Sequence, residues 1–325
     1  MNSLFSSWRH LRYLVAVSVS VMAIAASAAD YPSRPITLIV PFSPGGSTDV
    51  QARLVAKELS KKLGQPVVVD NKPGAGSAIG TRMVAAAEGD GYTLLFASIS
   101  QVTGPIVDEN AGYDLLHDFA PVSIVTDMPF LMVVNCNTGA KSAGDLIAQA
   151  KAKPGAFNYS SWGYGSVGNV LGEMFKHSTN LDLAHIPYKG EAPAIVALMT
   201  GEASVTFLTP VGMPYITSKQ LCPLAVTAPQ RIAKLPNVPT FNELGIKNMD
   251  LQIWFGVVAP IKTPPAVVDR LQRAVKEVVA DPEFVQAIDA MGVTGVGSTP
   301  SEFSQRIRAD QTLIGTIAKT AKLKE

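Results

Sequence analysis

Two loops in this chain carry the residue types that can hold an anion without a buried arginine. The first is Phe42-Ser43-Pro44-Gly45-Gly46-Ser47-Thr48-Asp49, which follows the apolar run Ile36 to Pro41 and opens a helical pattern. Pro44 and the two glycines turn the chain sharply and leave backbone N–H groups around Gly46 to Thr48 at a helix entrance, where an anion is a natural partner. A capped turn, in which Ser47 or Asp49 satisfies the helix itself, fits the same residues equally well. The second loop is Tyr159-Ser160-Ser161-Trp162-Gly163-Tyr164-Gly165-Ser166-Val167-Gly168-Asn169, again a strand end leading into a helix. Its Gly163, Gly165 and Gly168 match G-x-G-x-x-G, but the strand before them is short and polar, whereas a dinucleotide site wants an apolar one. The hydroxyls of Ser160, Ser161 and Ser166 suit hydrogen bonding to a carboxylate, and the glycines admit close backbone approach. A third loop, Lys72-Pro73-Gly74-Ala75-Gly76, borders the same sheet edge and reads as structural punctuation.

Catalytic patterns are poorly represented. Ser166 lies in Gly165-Ser166-Val167-Gly168 and not in a G-x-S-x-G elbow. A secreted hydrolase built on Ser47 or Ser166 would need a histidine within hydrogen-bond reach, and only His177 and His185 are near in sequence. Those two flank helix and strand ends, and His117 falls in an expected loop, where satisfied or surface histidines are the common finding. With no H-E-x-x-H, C-x-x-C or aspartate-rich loop, neither a metal nor a cofactor is expected, and the chain reads as a binding protein.

The elements that must position these loops alternate. Strand-like runs at Ile36 to Pro41, Pro66 to Asp70 and Tyr92 to Ala97 enclose helical patterns over 47–63 and 77–87, which is βαβαβ and implies a parallel sheet. A second series begins near residue 130, with strands at Phe130 to Asn135, Phe157 to Ser160, Leu183 to Pro187, Ala203 to Leu208 and Pro223 to Thr227. After Trp254 to Pro260 the chain is helical, with Pro264, Pro282 and Thr299-Pro300-Ser301-Glu302 opening three helices. These last helices need a sheet to cover, so the chain is expected to return to the first lobe. The crossings would fall around Ser123 to Met132 and Asp250 to Pro260.

Composition bounds the rest. Arg9, His10 and Arg12 precede an apolar run from Tyr13 to Ala26 and the small residues Ala26-Ser27-Ala28, the order of a secretory leader over 1–29. Export to the periplasm follows. Without that leader the balance becomes 25 basic to 26 acidic residues, so no nucleic-acid partner is implied. The mature length exceeds what one core normally supports, and two lobes with a cleft between them are expected. Cys136 and Cys222 would meet an oxidising compartment, where a disulfide and two buried thiols are both open.

Across nearly the whole mature chain the sequence resembles the Bug-type, TctC-like extracytoplasmic solute receptors of tripartite tricarboxylate transporters. The carriers are Arg34-Pro35-Ile36, Pro41 to Gly46 with Asp49, Pro73-Gly74-Ala75-Gly76, Asp90 to Leu95 and the Tyr159 to Gly168 loop. Further on come Pro187-Tyr188-Lys189-Gly190, Leu235 to Thr240, Trp254-Phe255-Gly256 and Thr299 to Phe303. The resemblance implies a two-lobe type II periplasmic binding fold, each lobe a mainly parallel α/β sheet, with two crossing segments as hinge. Lobe one would comprise 30–130 and 251–325, and lobe two 131–250. It implies a monomer that closes on a small carboxylate and docks on the membrane components of such a transporter. Carried over by residue, the ligand site comprises Phe42, Ser43, Gly45, Gly46 and Ser47, then Ser160, Ser161, Gly165 and Ser166, with Ser98 and Thr209 as further candidates. Asn169, also a candidate, stands where the family often has histidine, and Leu208 and Ala197 stand where it often has aspartates. Those departures favour a plain carboxylate over an amino acid. A sensory receptor docking on a signalling partner is the alternative, ahead of a serine hydrolase.

Overall fold

Four of the five residues of β1 (Ile36–Val40) are fully buried, as a β-branched strand in the middle of a sheet should be. It feeds α1 (Ser47–Leu63), β2 (Val67–Asn71), a short 3-10 turn at Ala75–Ser77, α2 (Ala78–Ala85), β3 (Thr93–Ser98), α3 (Ser100–Val107) and β4 (Phe119–Met128). The computed structural model describes residues 31–320 apart from Gly165, Lys189 and Met291, and the leader expected over 1–29 lies outside these residues. Two residues after β4 the chain enters a second sheet through β5 (Leu131–Asn135), followed by α4 (Ala143–Ala152), β6 (Asn158–Ser161), α5 (Val167–Thr179), β7 (Ala184–Pro187), α6 (Glu191–Thr200), β8 (Val205–Leu208), α7 (Met213–Thr217) and β9 (Leu221–Val226). It then returns as β10 (Ile253–Pro260), α8 (Pro265–Val279), α9 (Pro282–Ala290), β11 (Thr294–Gly295) and α10 (Pro300–Thr320).

The first sheet has the order β11-β4-β10-β3-β1-β2 and the second β7-β6-β8-β5-β9. Both are mixed. Strands joined by helical crossovers are parallel, β1 with β2 and β3, and β6 with β7 and β8. Strands next to a passage between the sheets are antiparallel, β10 with β3 and β4, and β5 with β8 and β9. The direction follows from the route: a strand arriving from the other sheet needs no crossover helix.

The two passages leave the second sheet side by side. The Phe130 N–H donates to Thr227 Oγ1 at 2.9 Å, and the Thr227 N–H donates back to the Phe130 carbonyl at 3.0 Å. On the return, α8 buries Val267, Val268, Leu271, Ala274, Val275 and Val278, a stripe at helical spacing, and packs on β4 and α1. Helix α10 packs on β4 and α3, and its entrance is a capping box in which Thr299 and Glu302 bond each other's backbone N–H groups at 2.8 and 3.2 Å. Arg306 of α10 bonds Asp127 at 3.0 Å and Asp310 at 3.2 Å, and Asp310 accepts the indole N–H of Trp254 at 2.7 Å. Cys136 and Cys222 form a disulfide that ties the end of β5 to β9. No helix among the described residues is long and apolar enough to cross a membrane.

Candidate functional site

The loop after β1 is held from below. Asp49 accepts the Gly45 N–H at 2.9 Å and both nitrogens of the Arg53 fork at 3.0 Å. Asn71, at the end of β2, gives its amide N–H groups to the Phe42 carbonyl at 3.0 Å and to Asp49 at 2.9 Å. Burial alone would raise the Asp49 pKa, but the bonds from Arg53, Gly45 and Asn71 outweigh it and hold the carboxyl low. The helix entrance itself is open: Gly46 is the N-cap of α1 and no side chain caps it. Ser47 meets Thr209, just past β8, with 3.4 Å between hydroxyl oxygens. Thr209 in turn gives its N–H and its hydroxyl to Glu191, at 2.6 and 3.0 Å. Desolvation pushes the Glu191 pKa up to about 7 against those two bonds.

The glycine-serine loop after β6 is largely self-satisfied. Ser166 caps α5 by accepting the Asn169 N–H at 3.2 Å, and donates to the Gly163 carbonyl at 2.6 Å. Ser161 Oγ lies 3.1 Å from the Gly163 nitrogen and 2.7 Å from His185 Nε2. The His185 ring stacks on Tyr159 with centroids 4.8 Å apart, and its Nδ1 lies 3.4 Å from the amide nitrogen of Asn169. That nitrogen also donates to the Tyr159 hydroxyl at 2.7 Å, and the hydroxyl donates to Glu173 at 2.7 Å. An amide nitrogen facing Nδ1 makes Nδ1 the acceptor, so the neutral ring carries its proton on Nε2 and donates it to Ser161. A catalytic base would do the reverse. Burial lowers the His185 pKa to about 4.

The third loop has the most unusual backbone. Gly74, Ala75, Gly76 and Ser77 have φ of 129°, 46°, 60° and 86°, four consecutive residues with positive φ, of which two are not glycine. Such strain persists only where the surroundings enforce it. Gln101 supplies the restraint, donating to Ser77 Oγ at 2.7 Å while its carbonyl oxygen accepts the Ser98 N–H, also at 2.7 Å.

These loops enclose a cavity of about 310 Å³. Phe42, Ala75, Gly76, Ser100 and Tyr113 form its wall on the first sheet's side, and Trp162, Tyr164 and Ser166 form it on the second sheet's side. A larger cavity, about 740 Å³, lies across the first loop, against Gly45 and Ser47. Its wall is mostly apolar, with Val50, Met128, Val211 and Met213, and none of the glycine-serine loop reaches it.

The expected site residues thus separate. Phe42 and Ser166 border the smaller cavity, Gly45 and Ser47 the larger. Thr209 touches Ser47, Ser43 and Gly46 are exposed on the loop, and Gly165 lies outside the described residues. Ser98, Ser160, Ser161 and Asn169 are buried behind the walls, where Ser160 faces the Ala194 carbonyl at 3.4 Å. The third loop, read as punctuation, lines the smaller cavity, and its glycine-rich composition was the signal available. Nothing in the sequence pointed to Tyr113 or to Glu191 as the partner of Thr209. Leu208 and Ala197 are buried in an apolar cluster of the second sheet, and no group of residues among those described could hold a metal ion.

The chain is matched over residues 51–323 by the family described as "Tripartite tricarboxylate transporter family receptor". It is 39% identical over 318 residues to Protein BugT of Bordetella pertussis, covering 96% of this chain and 98% of that one. Among solved structures it is similar to the periplasmic binding protein BugD, at 31% identity and TM-score 0.80, covering 91% of this chain and 100% of that one. It is also similar to R. palustris Rpa4515 with adipate, at 33% identity and TM-score 0.82, covering 90% and 98%. MatC from Rhodopseudomonas palustris with bound malate shares 26% identity and TM-score 0.79, covering 88% and 99%. Two mixed α/β sheets of the periplasmic binding protein type, loops with no serine base, and these matches agree: the chain belongs to the tripartite tricarboxylate transporter receptor family, whose members bind solutes and are not enzymes.

Proposed function

We propose that this protein captures a small organic carboxylate in the 310 Å³ cavity between its sheets and presents it to the membrane components of a tripartite tricarboxylate transporter. The observation that carries the reading is that Phe42, Gly76 and Ser166, one from each of the three loops, line this one cavity, where backbone N–H groups of glycine-rich turns and a helix entrance can meet an anion. Charge-assisted hydrogen bonds from such donors contribute about 1.5–3 kcal/mol each and need no cationic side chain. Relatives that hold adipate and malate support the ligand class. The periplasmic relatives and the leader-like N-terminus support export. Residues 30–130 with 251–325 make one lobe and 131–250 the other. Closure over the ligand dries the cavity, and the transporter recognises the closed form.

The test is a thermal-shift and calorimetric screen of the mature chain against adipate, malate, hexanoate and a cationic amine. Carboxylates are expected to raise the melting temperature by several degrees, with the amine without effect. Ser100→Leu, at a cavity-lining position of α3, is expected to abolish the shift with the free protein's melting point unchanged within a degree or two. If no carboxylate shifts the melting point, or the Leu variant binds normally, the assignment of this cavity is wrong.

A further inference from the structure

Thr209, the first residue after β8, is 3% exposed, and its hydroxyl is fully engaged. A hydroxyl has one proton and two lone pairs. The proton goes to Glu191 Oε2 at 3.0 Å, and one lone pair faces the Val211 N–H at 3.4 Å. The other faces the Ser47 hydroxyl, also at 3.4 Å, so Ser47 is the donor in that contact. The contact joins the two sheets, because Ser47 opens α1, which packs on β1 and β2, whereas Thr209 follows a strand of the second sheet. It is longer than a good O–H···O bond by roughly half an ångström, a gap that slight further closure removes. Glu191 opens α6, which packs on β5, β6 and β8, and none of those strands carries a charged side chain. In α1, Asp49 and Arg53 are paired with each other. Among the described residues the Glu191 carboxylate takes its bonds from Thr209, whose N–H it also accepts at 2.6 Å.

We infer that Glu191 is a positioning residue for closure: by fixing Thr209 at two points it aims an acceptor across the gap between the sheets, and Ser47 donates to that acceptor as they close. The inference rests on the proposed closure over a carboxylate. The contact is placed to act on that cavity. Ser47 shares its loop with Phe42, a lining residue, and α6 packs on β6, whose following loop brings Trp162, Tyr164 and Ser166 to the opposite wall. Without the carboxylate the Thr209 hydroxyl is free to turn and its proton competes with that of Ser47, so the acceptor is no longer presented. In this role the pair meets itself and not the solute. It sets how readily the protein closes on any carboxylate, and leaves the choice among carboxylates to the cavity wall.

The experiment is a double-mutant cycle read by calorimetry with adipate, malate and hexanoate, at pH 8 so that Glu191, with its pKa of about 7, is ionised. Ser47→Ala and Glu191→Ala are each expected to weaken every acid that wild type binds by about three- to tenfold, the worth of one hydrogen bond. The double variant should bind within about twofold of the weaker single one, since either change alone already removes the shared contact. Glu191→Gln keeps an oxygen for Thr209 and should recover most of the loss seen in Glu191→Ala. A residue that merely stabilised α6 would give losses that multiply with those of Ser47→Ala. Multiplying losses, a loss in one single variant without the other, or a Gln variant no better than the Ala variant overturns the inference. In each of those cases wild type still binds carboxylates and the broader reading stands. If wild type binds none of the three acids, the carboxylate reading and this inference fall together.

Discussion

The imidazole of His185 lies 2.7 Å from the Ser161 hydroxyl, but its other nitrogen faces the amide of Asn169 and no carboxylate. The pair has the spacing of a nucleophile and its base with the proton arranged the opposite way. The ring is neutral when folded, and its pKa of about 4 lies below the ordinary value of 6.5. A base with a depressed folded pKa gives stability that is complete above 6.5 and is lost as pH falls towards 4. NMR titration is expected to find no protonation of His185 above pH 5. Activated esters should be hydrolysed no faster by wild type than by Ser161→Ala.

Glu191 titrates with the opposite sign. Its folded pKa is raised to about 7, so its contribution is complete below pH 4.5 and disappears as pH rises through 7. Glu191→Gln removes that loss. The variant is expected to match wild type near pH 4.5 and to exceed it by on the order of 2 kcal/mol at pH 8, measured by urea denaturation at the two pH values. Equal stabilities at pH 8 would show that the carboxylate is not desolvated behind Thr209.

Asp49 holds the first loop through Gly45, Arg53 and Asn71. Asp49→Ala leaves the Gly45 amide without its acceptor and the Arg53 fork with Asn71 alone, and is expected to lower stability by about 1–3 kcal/mol. Carboxylate affinity should fall with it, because Phe42 belongs to the same braced loop and to the cavity wall. Asp49→Asn, which keeps one acceptor oxygen, should recover part of both losses.

Much of this architecture could be seen in the residues before any coordinates. The strand of β1, the helix of α1 and the capping box at Thr299 follow from local patterns that tertiary structure had no reason to override. Helix α3 could not be seen, since Gly104 and Pro105 are poor helix formers and what favours them is distant: Tyr113 fills the space a side chain at 104 would take. The two glycine-containing loops were visible as turns. That Ser98, Ser160 and Ser161 point inward was not, because a serine's partner lies elsewhere in the chain: Gln101, the Ala194 carbonyl and His185.

Arg306 joins three regions distant in sequence, bonding Asp127 and Asp310 while Asp310 holds Trp254. Burial raises the pKa of both carboxyls, and Arg306 is the one cation that opposes it at each of them. Arg306→Met leaves two buried acids without a counter-charge, and is expected to cost about 3–5 kcal/mol by denaturant unfolding. Asp127→Asn in that background should restore part of the loss.

The reciprocal bonds between Phe130 and Thr227 prolong the antiparallel ladder of β5 and β9 to the point where both connections begin. Both connections therefore leave the second sheet at one place, so whatever bends there bends both of them together.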